Sequence, residues 1–308
     1  MTVDQTYIDI IKNGGVVAFP TETVYGLGAD AWNAQAIQKI FEVKGRPSDN
    51  PLIVHISDIV QLDEFVDEIP DIARTLTQHF WPGPLTMIFP KKQQVLDIIT
   101  AGLGTVAIRM PDHPTAIDFI SRTGPLAAPS ANTSGRPSPT KTTHVRHDFG
   151  ADFPVIDGDF SRIGLESTVL DITGDTPVIL RPGKIGASEI EQAIGQKVIL
   201  DKAESQSAPK SPGQKYSHYK PKAKVVYGEI SDLDKHTLYL TQNNSSGSTN
   251  VVCYNGDLKK LSRELFDQFR QADIQGYDRV HIEEIEDFKP SNPALYTALK
   301  NRIRKAVV

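Results

Sequence analysis

The sequence predicts an α/β protein in two unequal parts, a larger domain around a mixed sheet and a smaller α/β domain beyond a linker. Three observations carry this. From Gly15 to about Leu200, short apolar runs bounded by Pro, Gly or Asp alternate with helical periods. At about Asp201 the composition changes: "DKAESQSAPKSPGQKYSHYKPKAK" has no apolar period, and Lys210 to Lys224 carries five lysines and no acid. Beyond it, strands and amphipathic helices resume. The expected boundaries are 1–200, 201–223 and 224–308.

In the first part, "VVAFPT", "LTMIFP", "VAIRMP", "LAAPSA", "PVIDGD", "STVLDIT" and "PVILRPG" read as strands. "NAQAIQKIFEVK" spaces Ile37, Ile40 and Phe41 on one helix face, with Asn33 as N-cap. "SEIEQAIG" reads as a helix opened by a capping box, Ser188 with Glu191, and stopped at Gly195. Strands outnumber helices and do not alternate cleanly with them, which favours a mixed sheet over a doubly wound one. In the last part, "KVVYGEI", "HTLYLT", "NVVCYN" and "DRVHIEEI" read as strands. "KKLSRELFDQFRQADIQG" and "NPALYTALKNRIRKAVV" read as helices.

Composition narrows the function. Hydrophobic residues at 39% and charged ones at 23% describe a soluble globular chain, and no run approaches a membrane span or a signal peptide. The chain reads as cytoplasmic. A net charge of −5 argues against a protein that coats nucleic acid. One cysteine, Cys253, excludes a disulfide framework and a cysteine-rich zinc site.

The familiar nucleotide and nucleophile signatures are missing: no G-x-x-x-x-G-K-[ST], no G-x-S-x-G, and a "GLG" that lacks a third glycine. The signal lies in six loops rich in hydroxyls, Gly and Pro. They are "PTETVYGLG", "KGRPSDNPLIVHI", "GTVAIRMP", "APSANTSGRPSPT", "GLEST" and "RPGKIG". Any one of them is ordinary turn composition. Together they set Arg46, Arg109 and Arg181, forks suited to carboxylates and phosphates, at strand ends. The residues alone point to an enzyme handling small anionic substrates.

"PTETVYGLGADAWNAQAIQKIFEVKGRPSDNPLIVHI", "SANTSGRPSPT", "GLESTVLDI" and "RPGKI" closely resemble, in order, the motifs of the YrdC-like family. "SPGQKYSHYKPKA" and "NPALYTALKNRIRKA" resemble the linker and C-terminal part of the two-domain threonylcarbamoyl-AMP synthase family. The resemblance implies a YrdC-like domain with a large twisted mixed sheet, then a linker and a small Rossmann-like α/β domain. It implies synthesis of threonylcarbamoyl-AMP and pyrophosphate from L-threonine, bicarbonate and ATP, feeding the threonylcarbamoyladenosine modification of tRNA by a downstream transferase machinery. Magnesium is implied on the ATP phosphates, with no ligands from protein side chains. Matched motif by motif, Thr23, His55, Arg109, Ser130 and Ser167 fall on threonine-site positions. Arg46, Asn50, Thr105, Asn132, Thr140 and Arg181 fall on ATP-site positions, with Lys44 beside them. In the linker Tyr219 is the expected nucleotide contact, Tyr216 the close alternative, and the segment itself is expected to act as a lid. Two rivals stand beside this reading. A tRNA or double-stranded RNA binding module needs a continuous basic face; carbamoyl transfer of the hydrogenase-maturation type needs zinc-finger cysteines.

Overall fold

The computed structural model describes residues 2–201, 219–243 and 247–307. Most of the linker, Tyr216 and the expected lid lie outside the described residues. Strands β1 (Val17–Phe19), β2 (Gly26–Asp30), β3 (Ile53–His55), β4 (Leu85–Pro90), β5 (Thr105–Arg109), β6 (Leu126–Ala128), β7 (Thr168–Asp171), β8 (Val178–Arg181) and β9 (Ile199–Leu200) form one sheet. Its order is β1-β2-β6-β3-β5-β4-β7-β8-β9. The β3–β5, β4–β7 and β8–β9 joins are parallel and the others antiparallel, so the sheet is mixed.

Helices α1 (Gln5–Lys12), α2 (Ala34–Lys44), α3 (Asp71–Phe80), α4 (Asp97–Thr100), α5 (Pro114–Thr123), α6 (Thr142–Phe149) and α7 (Ala187–Ile194) flank this sheet. Alternation along the strands decides what each face meets. Leu27, Val54, Met87, Val106, Ile108 and Ala127 enter the main core with Ile37, Ile40 and Phe41 of α2 and Leu76 of α3. On the opposite face, α1 and α5 cover only the β1–β6 end, through Ile8, Ile11, Phe119 and Ile120. Between them and the second domain the face has just a small apolar floor of Ile53, Ile88, Ala107 and Val169. That gap in the helical cover is where a site can form.

Three local expectations need correction. The run at Pro154 is no strand: it touches β1 by one bridge, Ala18 to Val155, before Asp157 and Gly158 turn away. The capping box at Ser188 is absent. Helix α7 starts two residues earlier than that, with Gly186 as its N-cap, whose N–H donates to the Glu189 carboxylate at 2.8 Å. Conversely, "GLGAD", read as loop, is β2. Glycine normally weakens a strand, but a Cβ at Gly26 or Gly28 would lie 3.0 Å from the Phe19 ring, so the close β1–β2 approach requires it.

The second sheet comprises β10 (Lys224–Tyr227), β11 (Thr237–Thr241), β12 (Val251–Cys253) and β13 (Arg279–Ile282), in the order β10-β13-β11-β12 with every join parallel. Helices α8 (Leu258–Gln275) and α9 (Pro293–Val307) complete it. Asp257 caps α8 by accepting from the Lys259 and Lys260 N–H groups, and Gly276 ends it in the left-handed region.

The two domains do not hang apart. Val24, Ile163 and Leu165 of the first belong to the core of the second. Arg270 on α8 forms a two-pronged ion pair with Asp148, both bonds 2.8 Å, while Asp267 takes Lys141 and His144. Gly164 sits at φ +78°, and a Cβ there would lie 2.4 Å from the Arg263 Cα. Backbone meets backbone at this point, so only glycine fits. Gly164→Ala is expected to destabilise the docked protein by at least ~2 kcal/mol. An unchanged Tm for that variant would contradict the docking.

Candidate active site

The open part of the sheet face carries the polar groups. On β5, Ala107 and Arg109 point there while Val106 and Ile108 enter the core, and β3 does the same with Ile53 and His55. The parallel register pairs His55 with Arg109. The loop after β6 is stitched to β2 by Leu27 N–H to the Pro129 carbonyl and Ala131 N–H to the Tyr25 carbonyl, each 2.8 Å. This brings Ser130 and Asn132 over the strand ends. Ser167, just before β7, completes the ring. The cavity enclosed is about 70 Å³.

Thr23, Arg46, His55, Arg109, Ser130, Asn132, Ser167, Arg181 and Tyr219 all line this cavity. Segments more than a hundred residues apart in sequence thus meet around one cavity. Arg109 is held on three sides: Nε donates to the Gly83 carbonyl (3.1 Å), Nη1 to Thr23 Oγ1 (2.8 Å), and Nη2 lies 2.6 Å from Glu22 Oε2. Ser167 Oγ is within 2.8 Å of Thr86 Oγ1 and accepts from Arg181 Nη2 at 3.0 Å. Tyr219, at φ +69°, stacks on Phe266 of α8 with ring centres 5.0 Å apart.

Burial, and then the Arg109 charge, push the His55 imidazole down to about 3. It is neutral at any working pH. Its Nδ1 lies 3.2 Å from the Ile53 carbonyl and donates to it, which leaves Nε2 as an acceptor. The sign of the stability effect follows. Unfolded, His55 takes a proton below about 6.5, its ordinary value, and folded it does not. The stability it contributes is therefore complete above pH 6.5 and declines as pH falls towards 3. His113 and His144 are shifted the same way by burial. Wild-type Tm should fall from pH 6.5 downward, and His55→Gln should flatten that slope; equal slopes would refute the buried neutral imidazole.

Four expected residues stand off the cavity. Lys44 is buried beneath the Ser130 loop, its Nζ donating to the Ser130 carbonyl at 2.6 Å and to the Asn132 carbonyl. Burial and then Arg46 push its ammonium well below the usual lysine range, which is why the carbonyls are needed. Thr105 sits at the far end of β5, about 13 Å along the strand from Arg109. Asn50 and Thr140 are buried behind the wall, and their side-chain oxygens have no partner among the described residues.

The sequence reading passed over Thr21, Arg136 and Glu166 in the lining and Glu22 behind Arg109. The last two carried a signal: each is a lone acid in a loop of hydroxyls and glycine. Glu166 is the one acid lining the cavity among the described residues. Burial alone would raise its carboxyl, but Arg302, Arg181 and the Ser138 hydroxyl hold it at about 2. No group of three or more His, Cys, Asp or Glu among the described residues could hold a metal ion.

A family described as "Telomere recombination" matches residues 9–183, and one described as "Threonylcarbamoyl-AMP synthase, C-terminal domain" matches residues 185–307. The chain belongs to the two-domain threonylcarbamoyl-AMP synthase family. A Pyrococcus abyssi member is 44% identical over 316 residues, which is 96% of this chain and 91% of that protein. A Bacillus subtilis member is 44% identical over 321 residues, covering 96% and 90%. The crystal structure of P. abyssi Sua5 complexed with L-threonine superposes with a TM-score of 0.89 at 41% identity, over 98% of this chain and 93% of that one. The resemblance seen in the loop motifs thus extends across both domains of the threonylcarbamoyl-AMP synthase architecture.

Proposed function

We propose that the chain joins L-threonine, bicarbonate and ATP into L-threonylcarbamoyl-AMP and pyrophosphate. The observation that carries the reading is the convergence of Thr23, His55, Arg109, Ser130 and Ser167 on one small cavity, which Arg46, Asn132, Arg181 and Tyr219 also line. Threonine binds in the cavity, its carboxylate towards Arg109 and its hydroxyl towards neutral His55. Threonine's amine loses a proton and forms a C–N bond to bicarbonate carbon, with water leaving. A carbamate oxygen then attacks the α-phosphorus in line, an O–P bond forms, and the bond to the β-phosphate breaks with its electron pair departing on pyrophosphate.

The carbamate is the nucleophile, so the protein supplies position and charge rather than a side-chain nucleophile. Arg46, Asn132, Arg181 and Tyr219 serve the nucleotide. Lys44 acts from below by fixing the Ser130–Asn132 backbone. Magnesium travels with the ATP phosphates, which suits a site whose nearby acids, Glu22 and Glu166, are engaged by Arg109 and Arg302. The product, a reactive acyl-adenylate, goes to a transferase acting on tRNA in the cytoplasm. No helix among the described residues is long and apolar enough to cross a membrane.

The test is transfer of label from carbon-labelled bicarbonate into a product of the mass of threonylcarbamoyl-AMP. Label found there supports the reading; ATP turnover with no labelled product overturns it.

A further inference from the structure

Helix α9 is an amphipathic element with one anomaly. Leu295, Ala298, Leu299, Ile303 and Ala306 enter the second core, and Arg302 occupies the same buried stripe with no exposed surface at all. A guanidinium in such a position is a large desolvation cost unless it is well paired. It is paired across the domain boundary. Arg302 Nε donates to Glu166 Oε2 at 2.8 Å and Nη1 donates to the Pro182 carbonyl at 2.9 Å. Its Cζ lies 5.7 Å from the centre of the Tyr219 ring.

We infer that Arg302 of the C-terminal domain is a positioning residue for the nucleotide half of the active site, acting through Glu166. The inference rests on the proposed use of ATP. Glu166 Oε1 accepts from Ser138 Oγ at 2.6 Å, and both residues line the cavity. On the proposed reading that carboxylate shares its wall with Arg181 and Tyr219, the groups assigned to the nucleotide. A bare carboxylate there would repel the phosphates; Arg302 seated behind it, with Arg181 nearby, cancels the charge and leaves the carboxylate to orient Ser138. The same guanidinium ties the turn after Arg181 to the loop carrying Ser167, so one side chain fixes two walls. Arg109 and His55 lie on the sheet and receive no contact from Arg302, and Ser167 is reached only through its chain neighbour Glu166. The second domain therefore acts on nucleotide binding more than on amino-acid binding.

Equilibrium binding of a non-hydrolysable ATP analogue and of L-threonine, each measured separately on the full chain, reads this contrast without turnover. Arg302→Met should weaken analogue binding about tenfold or more, because Glu166 loses its directly bonded counter-charge and draws on Arg181 instead, with threonine affinity within about threefold. Glu166→Gln combined with Arg302→Met should recover most of the lost analogue affinity, because the offending charge is gone. Arg302→Lys keeps a cation at the site and should give a smaller loss confined to the analogue, so the contrast stays readable even if Arg302→Met does not fold. Equal losses for analogue and threonine, or no loss of analogue affinity in either single variant, would overturn the inference. A wild-type chain that does not bind the analogue would instead sink the reading of the site as an ATP site.

Discussion

Arg109→Ala is expected to lower the rate of threonylcarbamoyl-AMP formation by at least ~100-fold, since it removes a buried, preorganised cation from the place proposed for the amino-acid carboxylate or carbamate. Arg109 is 3% exposed, and its fork is fixed by Gly83, Thr23 and Glu22 before any substrate arrives. Its loss has a second consequence. Glu22, 2% exposed, is left as a buried carboxylate with no counter-charge, so the alanine variant should also lose several kcal/mol of stability. Arg109→Lys separates the two effects: it keeps a cation near Glu22 while losing the two-pronged geometry, and should fold normally yet remain severely impaired. Activity within threefold of wild type in either variant would remove Arg109 from the proposed role.

The amino-acid preference should be lopsided. With Nδ1 of His55 committed to the Ile53 carbonyl, Nε2 is an acceptor suited to a threonine hydroxyl, and Ser167 offers a second polar contact. A site built to bond a hydroxyl leaves buried groups unpaired when the analogue lacks it, so kcat/KM for valine should fall by ~10⁴-fold. Serine keeps the hydroxyl and lacks one methyl, a loss of only ~10–200-fold. His55→Leu should collapse the threonine-to-valine ratio while leaving some activity. Comparable use of valine and threonine by the wild-type chain would refute the assignment of His55.

Much of this was legible in the residues because it depends on local chemistry. Asn33 caps α2 as its sequence suggests, accepting from the Ala36 N–H at 3.0 Å, and Gly195 ends α7 in the left-handed region. The small domain was legible as four strands and two amphipathic helices, although its parallel pairing was not, since among the described residues only α8 separates consecutive strands there. The main cavity is built from the quoted loops. What was not legible depends on distant partners. Nothing local says that β2 needs two glycines to let Phe19 pack against it, so a true strand reads as a loop. Nor does anything local mark Arg302, whose role becomes visible only when α9 and the Glu166 loop are seen together. The same limit applies to Lys44: beside Arg46 in sequence it looks phosphate-facing, whereas the fold turns its ammonium inward to two carbonyls.

Pyrophosphate release from ATP, measured in full mixture and with each substrate omitted in turn, tests the central claim most directly. The account predicts release that requires L-threonine and bicarbonate together and falls to background when either is left out. Pyrophosphate released without threonine, or ATP cleaved to ADP and phosphate instead, would contradict it.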